Sequence, residues 1–284
     1  MTRSTETYQG RLALITGGSS GIGLGLAQLL AAAGANVWLL ARRQELLQSA
    51  MRSLPCVSGQ KHGMLSADVA NWEQLRSAVQ GFQRDVGVPD LLVNSAGVTE
   101  PGLIEELPVE VYREQMEINY LGTVHATKAV LPGMLQRGSG DIVNISSAGG
   151  FVTGPGYGAY SPSKFAVRGF SDALRAEVKP RGVRVFLVYP PNTDTPQRAY
   201  ELSHQSPEIH VLDENAGLGP WKFGTLPVKQ VAEEILQGIQ RGRYVILPGT
   251  GNRVLYRLVG LLGNLAYDIV DDEWKVARRK QGKG

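Results

Sequence analysis

The sequence predicts one doubly wound α/β domain, 284 residues long, built on a seven-stranded parallel sheet. Three observations carry that expectation. Short apolar runs at residues 11–16, 36–41, 62–66, 90–94, 141–146, 183–189 and 243–247 alternate with helical patterns, as repeated βαβ units require. The runs Asp90–Asn94, Asp141–Ser146 and Val183–Tyr189 are nearly continuous in apolar residues, the composition of strands covered on both faces. Finally, Gly17, Arg42, Asn94, Ser147 and Pro190 fall where these strands end, and open sheets of this type take their ligands at that edge.

The first strand, Arg11 to Thr16, runs directly into a turn containing Gly17, Ser19, Ser20, Gly21, Ile22 and Gly23. Glycines lack side chains, so backbone amides there can approach an anionic pyrophosphate at the positive end of the next helix. That helix places Leu24, Ala27, Leu30 and Ala31 on one face and has Gly34 in the stop position. The spacing G-x-x-x-G-x-G departs from the commoner dinucleotide fingerprint G-x-G-x-x-G. The second strand, Asn36 to Ala41, ends in Arg42 and Arg43, with no acid before Glu45. An acid at this point would hold a ribose 2′-hydroxyl; guanidinium groups suit a 2′-phosphate. NADPH is therefore the expected cofactor.

A long helical pattern follows from about Val109 to Gln136, and then comes the segment with the most chemistry. Ser147, Tyr160 and Lys164 stand at offsets of 13 and 4 residues. Tyr160 and Lys164 lie one helical turn apart. An ammonium that close favours phenolate, which is expected to pull the tyrosine pKa from about 10 toward neutrality. Ser147, arriving from another element, can bond the same substrate oxygen. A tuned acid of this kind is what reversible carbonyl reduction needs.

Two segments exceed the minimal fold. Residues 195–226 are too long for an ordinary connection and read as a substrate lid, with Tyr200, Ile209, Val211, Leu212, Leu218, Trp221 and Phe223 available to shelter an alkyl chain. At the C-terminus, residues 251–284 carry an amphipathic helix whose apolar face includes Leu255, Leu258, Val259, Leu262, Leu265, Ala266, Ile269 and Val270. Its longest charge-free run, Leu258 to Tyr267, is ten residues, against the roughly twenty needed to span a bilayer. The last ten residues hold five Lys or Arg, and without them 24 basic residues face 26 acidic ones, so the net +3 belongs to this tail. Two readings fit: a helix lying peripherally on an anionic membrane, or one packed on the body or on a partner subunit and followed by a disordered tail.

Composition is that of a soluble enzyme able to bury a full core without disulfides. The single Cys56 points to a reducing, cytoplasmic setting, and the first residues lack the apolar stretch of a signal peptide. No Cys/His cluster has metal spacing. One short basic tail is not a nucleic-acid footprint.

Read together, these motifs resemble the short-chain dehydrogenase/reductase family, a Rossmann-type family, over nearly the whole chain. The matching segments are Thr16-Gly-Gly-Ser-Ser-Gly-Ile-Gly23, Asp68-Val69, Asn94-Ser-Ala-Gly97, Asn119, Ile145-Ser-Ser147, Tyr160-Ser-Pro-Ser-Lys164 and the Pro190-Pro191 turn. The resemblance implies that Asp68 contacts the adenine ring beside Val69, and that Asn94, Ala96 and Gly97 line the adenosine side. It implies that Lys164 also bonds the nicotinamide ribose and that Asn119 holds a water relaying protons to Lys164. Pro190, Thr193 and Thr195 would complete the cofactor site. Ser95 replaces the commoner second Asn of the family. Homo-oligomers, dimeric or tetrameric, would form through the helices containing Val109–Gln136 and Tyr160–Lys179.

The stretches Tyr160–Pro196 and Met116–Val124 are similar, more narrowly, to the group of reductases acting on 3-ketodihydrosphingosine. There the usual Pro-Gly reads Pro-Pro and is followed by Thr-Asp-Thr-Pro; that group often has a Lys where this chain has Leu46. The implied activity is NADPH-dependent reduction of a long-chain ketone. A 3-oxoacyl thioester, a steroid or a quinone remains the alternative substrate. A non-catalytic NADP-binding scaffold is the remote reading, since all four catalytic positions are present.

Overall fold

The computed structural model describes residues 8–57, 59–214, 217–218, 221–222, 224–263 and 265–282. Its main sheet contains β1 (Leu12–Thr16), β2 (Asn36–Ala41), β3 (Gly63–Ser66), β4 (Leu91–Asn94), β5 (Gly140–Ile145), β6 (Val183–Val188) and β7 (Val245–Ile246). The spatial order is β3-β2-β1-β4-β5-β6-β7, and every pairing is parallel. The order in which strands are added reverses between β1 and β4, which opens a crevice at their carboxyl ends. Register sets Thr16 beside Asn94 and Asn94 beside Asn144, so three strand ends share one edge.

Helices cover both faces: α1 (Gly21–Ala32), α2 (Gln44–Arg52), α3 (Trp72–Asp85), α4 (Val109–Gln115), α5 (Gly122–Arg137) and α6 (Tyr160–Val178). Successive strand side chains point to opposite faces, and the core divides accordingly. Ile15, Leu39 and Val93 belong to one cluster with Leu26 and Leu30 of α1. Their neighbours Leu14, Leu40 and Leu92 belong to the other with Val130 of α5 and Leu174 of α6. Continuous apolar runs are the consequence.

The helical pattern from Val109 to Gln136 is not one regular helix. Between α4 and α5 the backbone widens into a π-helical turn, Met116–Leu121. A one-residue insertion of this kind leaves the apolar period nearly intact, which is why the pattern did not reveal it. The last strand is also shorter than residues 243–247. It lies at the sheet edge, where Leu187 and Tyr189 donate to the carbonyls of Tyr244 and Ile246 at 2.8 and 3.0 Å.

The 195–226 excursion is folded. It holds α7 (Pro196–His204), α8 (Pro207–Glu214) and a two-residue antiparallel pair, Gly217–Leu218 with Trp221–Lys222. Leu226–Pro227 returns to pair with Thr193–Asp194, so the excursion leaves and rejoins the body at one place. Thr195 caps α7 by accepting from the Arg198 amide at 3.1 Å. Ile209 is fully buried, whereas Tyr200 is exposed. The expectations for the Val211, Leu218 and Trp221 side chains, and for Phe223, lie outside the described residues.

After α9 (Val228–Gln240) the C-terminal segment forms two helices rather than one helix and a loose tail: α10 (Thr250–Leu262) and α11 (Leu265–Lys280). The break falls at Gly263, whose φ of 52° glycine adopts readily. Among the described residues, no helix is long and apolar enough to cross a membrane.

Candidate active site

Tyr160 is the first residue of α6 and Lys164 follows one turn on. The Lys164 ammonium sits 5.6 Å from the centre of the Tyr160 ring and donates to the Ile145 carbonyl at 3.3 Å, which fixes it to the end of β5. Ser147 continues that strand in extended conformation, its Oγ accepting from the Gly149 amide at 3.1 Å. The three side chains that sequence spacing singled out do converge.

Their electrostatics differ from the sequence expectation. Burial dominates at Tyr160 and pushes its hydroxyl well above the ordinary tyrosine range; the Ser147 hydrogen bond works the other way, and the Glu201 charge adds to the rise. The Lys164 ammonium, 5.6 Å from the ring centre, does not offset that rise, and its hydrogen bond goes to the Ile145 carbonyl. Tyr160 is thus held firmly protonated, the state from which a general acid starts.

Burial pushes the Lys164 ammonium down to about 8. Between this value and the ordinary lysine range the folded protein binds fewer protons than the unfolded chain, so this group makes stability rise with pH across that window. Activity should move in the opposite sense. We predict that kcat/KM for the dinucleotide, which reports free-enzyme ionisations, falls about tenfold per pH unit above about pH 8 as the ammonium is lost. A profile flat to pH 9.5 would show that the charge is not used.

Asn119 lies in the π-helical turn and is completely buried. Its Oδ1 accepts from the Val98 amide at 2.8 Å, and its Nδ2 donates to the Val98 carbonyl at 3.0 Å and to Ser163 Oγ at 2.9 Å. Ser163 in turn donates to the Tyr160 carbonyl at 2.6 Å. Both amide hydrogens are therefore spent on protein, and the visible role of the side chain is to tie the turn to the loop after β4 and to α6. A Cβ added at Gly97 would lie 3.1 Å from Asn119 Oδ1 and 3.3 Å from Lys164 Nζ, so a side chain there would press on both groups by a few tenths of an ångström.

A cleft of about 480 Å³ opens over these residues. Of the residues expected to hold a dinucleotide, Gly17, Ser19, Ser20, Gly21, Ile22, Arg42, Arg43, Asp68, Val69, Ala96, Gly97, Tyr160, Lys164, Pro190, Thr193 and Thr195 line it. Two do not. Asn94 is turned inward and donates to Thr127 Oγ1 at 3.1 Å and Asn144 Oδ1 at 2.9 Å, bracing α5 and β5 against β4. Gly23 packs the turn: a Cβ there would stand 2.5 Å from the Gly17 carbonyl.

The donor set fits an anionic dinucleotide. Ser20 is the N-cap of α1 but its side chain makes no capping bond, so the first-turn amides have no side-chain acceptor from it. A Cβ at Gly17 would lie 2.7 Å from the backbone of Ser95 and Ala96, filling the turn. Arg42 and Arg43 are exposed at the cleft edge, and Arg42 stands 3.7 Å from Asp68.

The cleft also exposes residues that sequence reading missed as site residues: Val152, Tyr157, Arg198, Glu201, Asn252 and Leu255. Arg198 and Glu201, three apart on α7, are a signal that could have been noticed. Asn252 and Leu255 come from α10, and no local pattern connects them to the site.

A doubly wound sheet with an anion cradle and a Ser-Tyr-Lys set lining the same cleft defines a dinucleotide-dependent oxidoreductase. Residues 11–206 match the family model described as short chain dehydrogenase. The chain belongs to the short-chain dehydrogenase/reductase family and is an enzyme of that family. It is 38% identical over 225 residues to the 3-dehydrosphinganine reductase of Danio rerio, covering 78% of this chain and 68% of that protein. It is 33% identical over 294 residues to dehydrogenase/reductase SDR family member 7B, also of Danio rerio, covering 99% of this chain and 90% of that one. Among solved structures, the alcohol dehydrogenase from the archaeon Thermococcus sibiricus complexed with 5-hydroxy-NADP aligns with a TM-score of 0.69 at 26% identity, over 82% of this chain and 91% of that one.

Proposed function

We propose that this enzyme reduces 3-ketodihydrosphingosine to dihydrosphingosine with NADPH. The carrying observation is that one cleft brings together Ser147, Tyr160 and Lys164 with two guanidinium groups and a helix start that has no side-chain cap. Similarity to the Danio rerio 3-dehydrosphinganine reductase supports the choice of ketone. Bound in the cradle, NADPH would supply hydride to the ketone carbon. Tyr160 gives its proton to the ketone oxygen, Ser147 bonds and orients that oxygen, and Lys164 places a positive charge beside the phenolate that remains. Asn119 and Gly97 keep these groups in register.

The test is dinucleotide oxidation against 3-ketodihydrosphingosine, a 3-oxoacyl thioester and a steroid ketone, each with NADPH and NADH. Turnover confined to the thioester or steroid would refute the proposed substrate. The family member 7B similarity, which extends over 99% of the chain, favours another lipid-like ketone as the second reading. For the cofactor, replacing Arg42 and Arg43 together by Ala should lower the NADPH-over-NADH preference by roughly 10- to 100-fold, the worth of two charge-assisted phosphate contacts. An unchanged ratio would locate the phosphate elsewhere.

We also place the α10–α11 corner on an anionic membrane surface. Leu261, Leu265 and Tyr267 are exposed around Gly263, and Arg278, Arg279 and Lys280 end α11. Flotation with anionic vesicles, lost when those three apolar residues become Ser, supports this placement; no flotation of the unaltered protein retires it.

A further inference from the structure

We propose that Glu201, together with Asn252, forms the subsite for a hydrogen-bond donor carried beside the substrate ketone, an ammonium group in the substrate class above. This rests on the reductase reading and adds to it the residues that recognise the polar head.

Glu201 is, with Asp68, one of two carboxylates lining a cleft that suits a polyanion, and Asp68 already stands 3.7 Å from Arg42. The Glu201 side chain is only 12% exposed, it lines the same cleft as Ser147 and Tyr160, and its charge is felt by the Tyr160 phenol. Near a bound dinucleotide a buried negative group is unfavourable unless something there answers it. Arg198 answers it in part, with 3.1 Å between Nη1 and Oε2. A carboxylate accepts at about four positions, so one guanidinium leaves capacity for a second donor. The two residues are one helical turn apart on α7, and Thr195 fixes the start of that helix. The carboxylate is therefore held in place before any substrate arrives.

Asn252 supplies the second acceptor. Its Nδ2 donates to the Tyr189 carbonyl at 2.6 Å. A carbonyl can only accept, so this contact settles which end of the amide is nitrogen. The remaining Oδ1 has no hydrogen-bond partner among the described residues, although the side chain is only 4% exposed. Buried acceptors are ordinarily satisfied; here the donor is to come from the ligand. The cleft also offers Val152, Tyr157 and Leu255 to an alkyl chain. Two acceptors and apolar side chains in the cleft that holds Tyr160 match a ketone with an ammonium on the adjacent carbon and a long tail. A quinone, a steroid ketone or a 3-oxoacyl thioester brings no cation to that place.

Three ketones of equal chain length separate the outcomes: 3-ketodihydrosphingosine, its N-acetyl derivative, and the analogue lacking the amino group. For the unaltered enzyme with NADPH, kcat/KM should favour the free amine by roughly 10- to 100-fold over both others. Glu201→Gln should remove most of that preference, chiefly through KM. If the free amine is turned over but the unaltered enzyme shows no preference among the three, the subsite is overturned without recourse to any variant. It is overturned as well if Glu201→Gln lowers all three equally, or none. If the free amine is inert while a steroid or thioester is reduced, the substrate proposal fails and the subsite fails with it. NADPH binding by fluorescence distinguishes a misfolded variant, in which case the comparison on unaltered enzyme decides.

Discussion

Replacing Tyr160 by Phe should lower kcat for ketone reduction by about 10³-fold, within the range that a positioned general acid contributes, and should leave NADPH affinity within about twofold. The substitution removes one oxygen and keeps the ring, which stands 6.4 Å from the Tyr157 ring and packs at the start of α6. The cradle around Gly17 and the guanidinium pair at Arg42 and Arg43 belong to other elements and do not depend on the hydroxyl. Stopped-flow oxidation of NADPH under single turnover measures the chemical step, and quenching of protein fluorescence measures binding. Loss of binding in parallel with rate would mean the hydroxyl is structural. Persistent turnover would mean another group donates the proton. Ser147→Ala should cost less, about 10²-fold, because it removes one bond to the oxygen and leaves the proton source. The double variant should be little worse than Tyr160→Phe alone, since residues acting on one proton transfer do not add.

That prediction was readable in the sequence because Tyr160 and Lys164 share one helix and Gly17 to Gly23 form one turn, so spacing alone fixes their relation. The direction of the Tyr160 shift was not readable. It depends on how deeply the phenol is buried and on Glu201, 41 positions away in sequence. The same holds for Asn94: its type and place at a strand end suggested a ligand contact, but the register with Asn144 turns its amide inward. Asn252 was invisible for a related reason. It reaches the cleft only because α10 packs Leu255 and Tyr256 against Phe151 and Tyr189, a long-range contact that no periodicity records. The sheet, by contrast, was legible almost strand for strand, since burial on two faces leaves its mark on every residue of a strand. Within the sheet only β7 departed, for want of a second neighbour. Among the helices the π-helical turn was hidden because it barely perturbs the apolar period, and the break at Gly263 because the apolar face runs on through it.

A second large effect is expected at the opposite edge of the sheet. Asp141 enters β5 with its side chain 3% exposed and holds two cations: Arg11 Nη2 at 3.0 Å, and Arg184 through Nε at 2.7 Å and Nη2 at 2.8 Å. Arg11 also lies over the Tyr8 ring and Arg184 over Phe186, at 5.7 and 5.3 Å from the ring centres. One carboxylate thus closes the N-terminal edge of β1, β5 and β6. Breaking a buried ion pair from one side costs about 3–5 kcal/mol. Both guanidinium groups reach solvent, with side chains 26% and 53% exposed, and can be partly rehydrated. Asp141→Asn should therefore destabilise the fold by about 2–3 kcal/mol. Urea unfolding checks this: the midpoint falls while the slope, set by the surface exposed, stays the same. The six residues of β5 place this cluster about 20 Å from Ser147 at roughly 3.3 Å per residue, so kcat per folded molecule should not change. An unmoved midpoint would mean that water replaces the carboxylate at no cost. A fall in kcat without a fall in stability would mean that the two edges of the sheet are coupled, and that Asp141 belongs to the chemistry as well as to the fold.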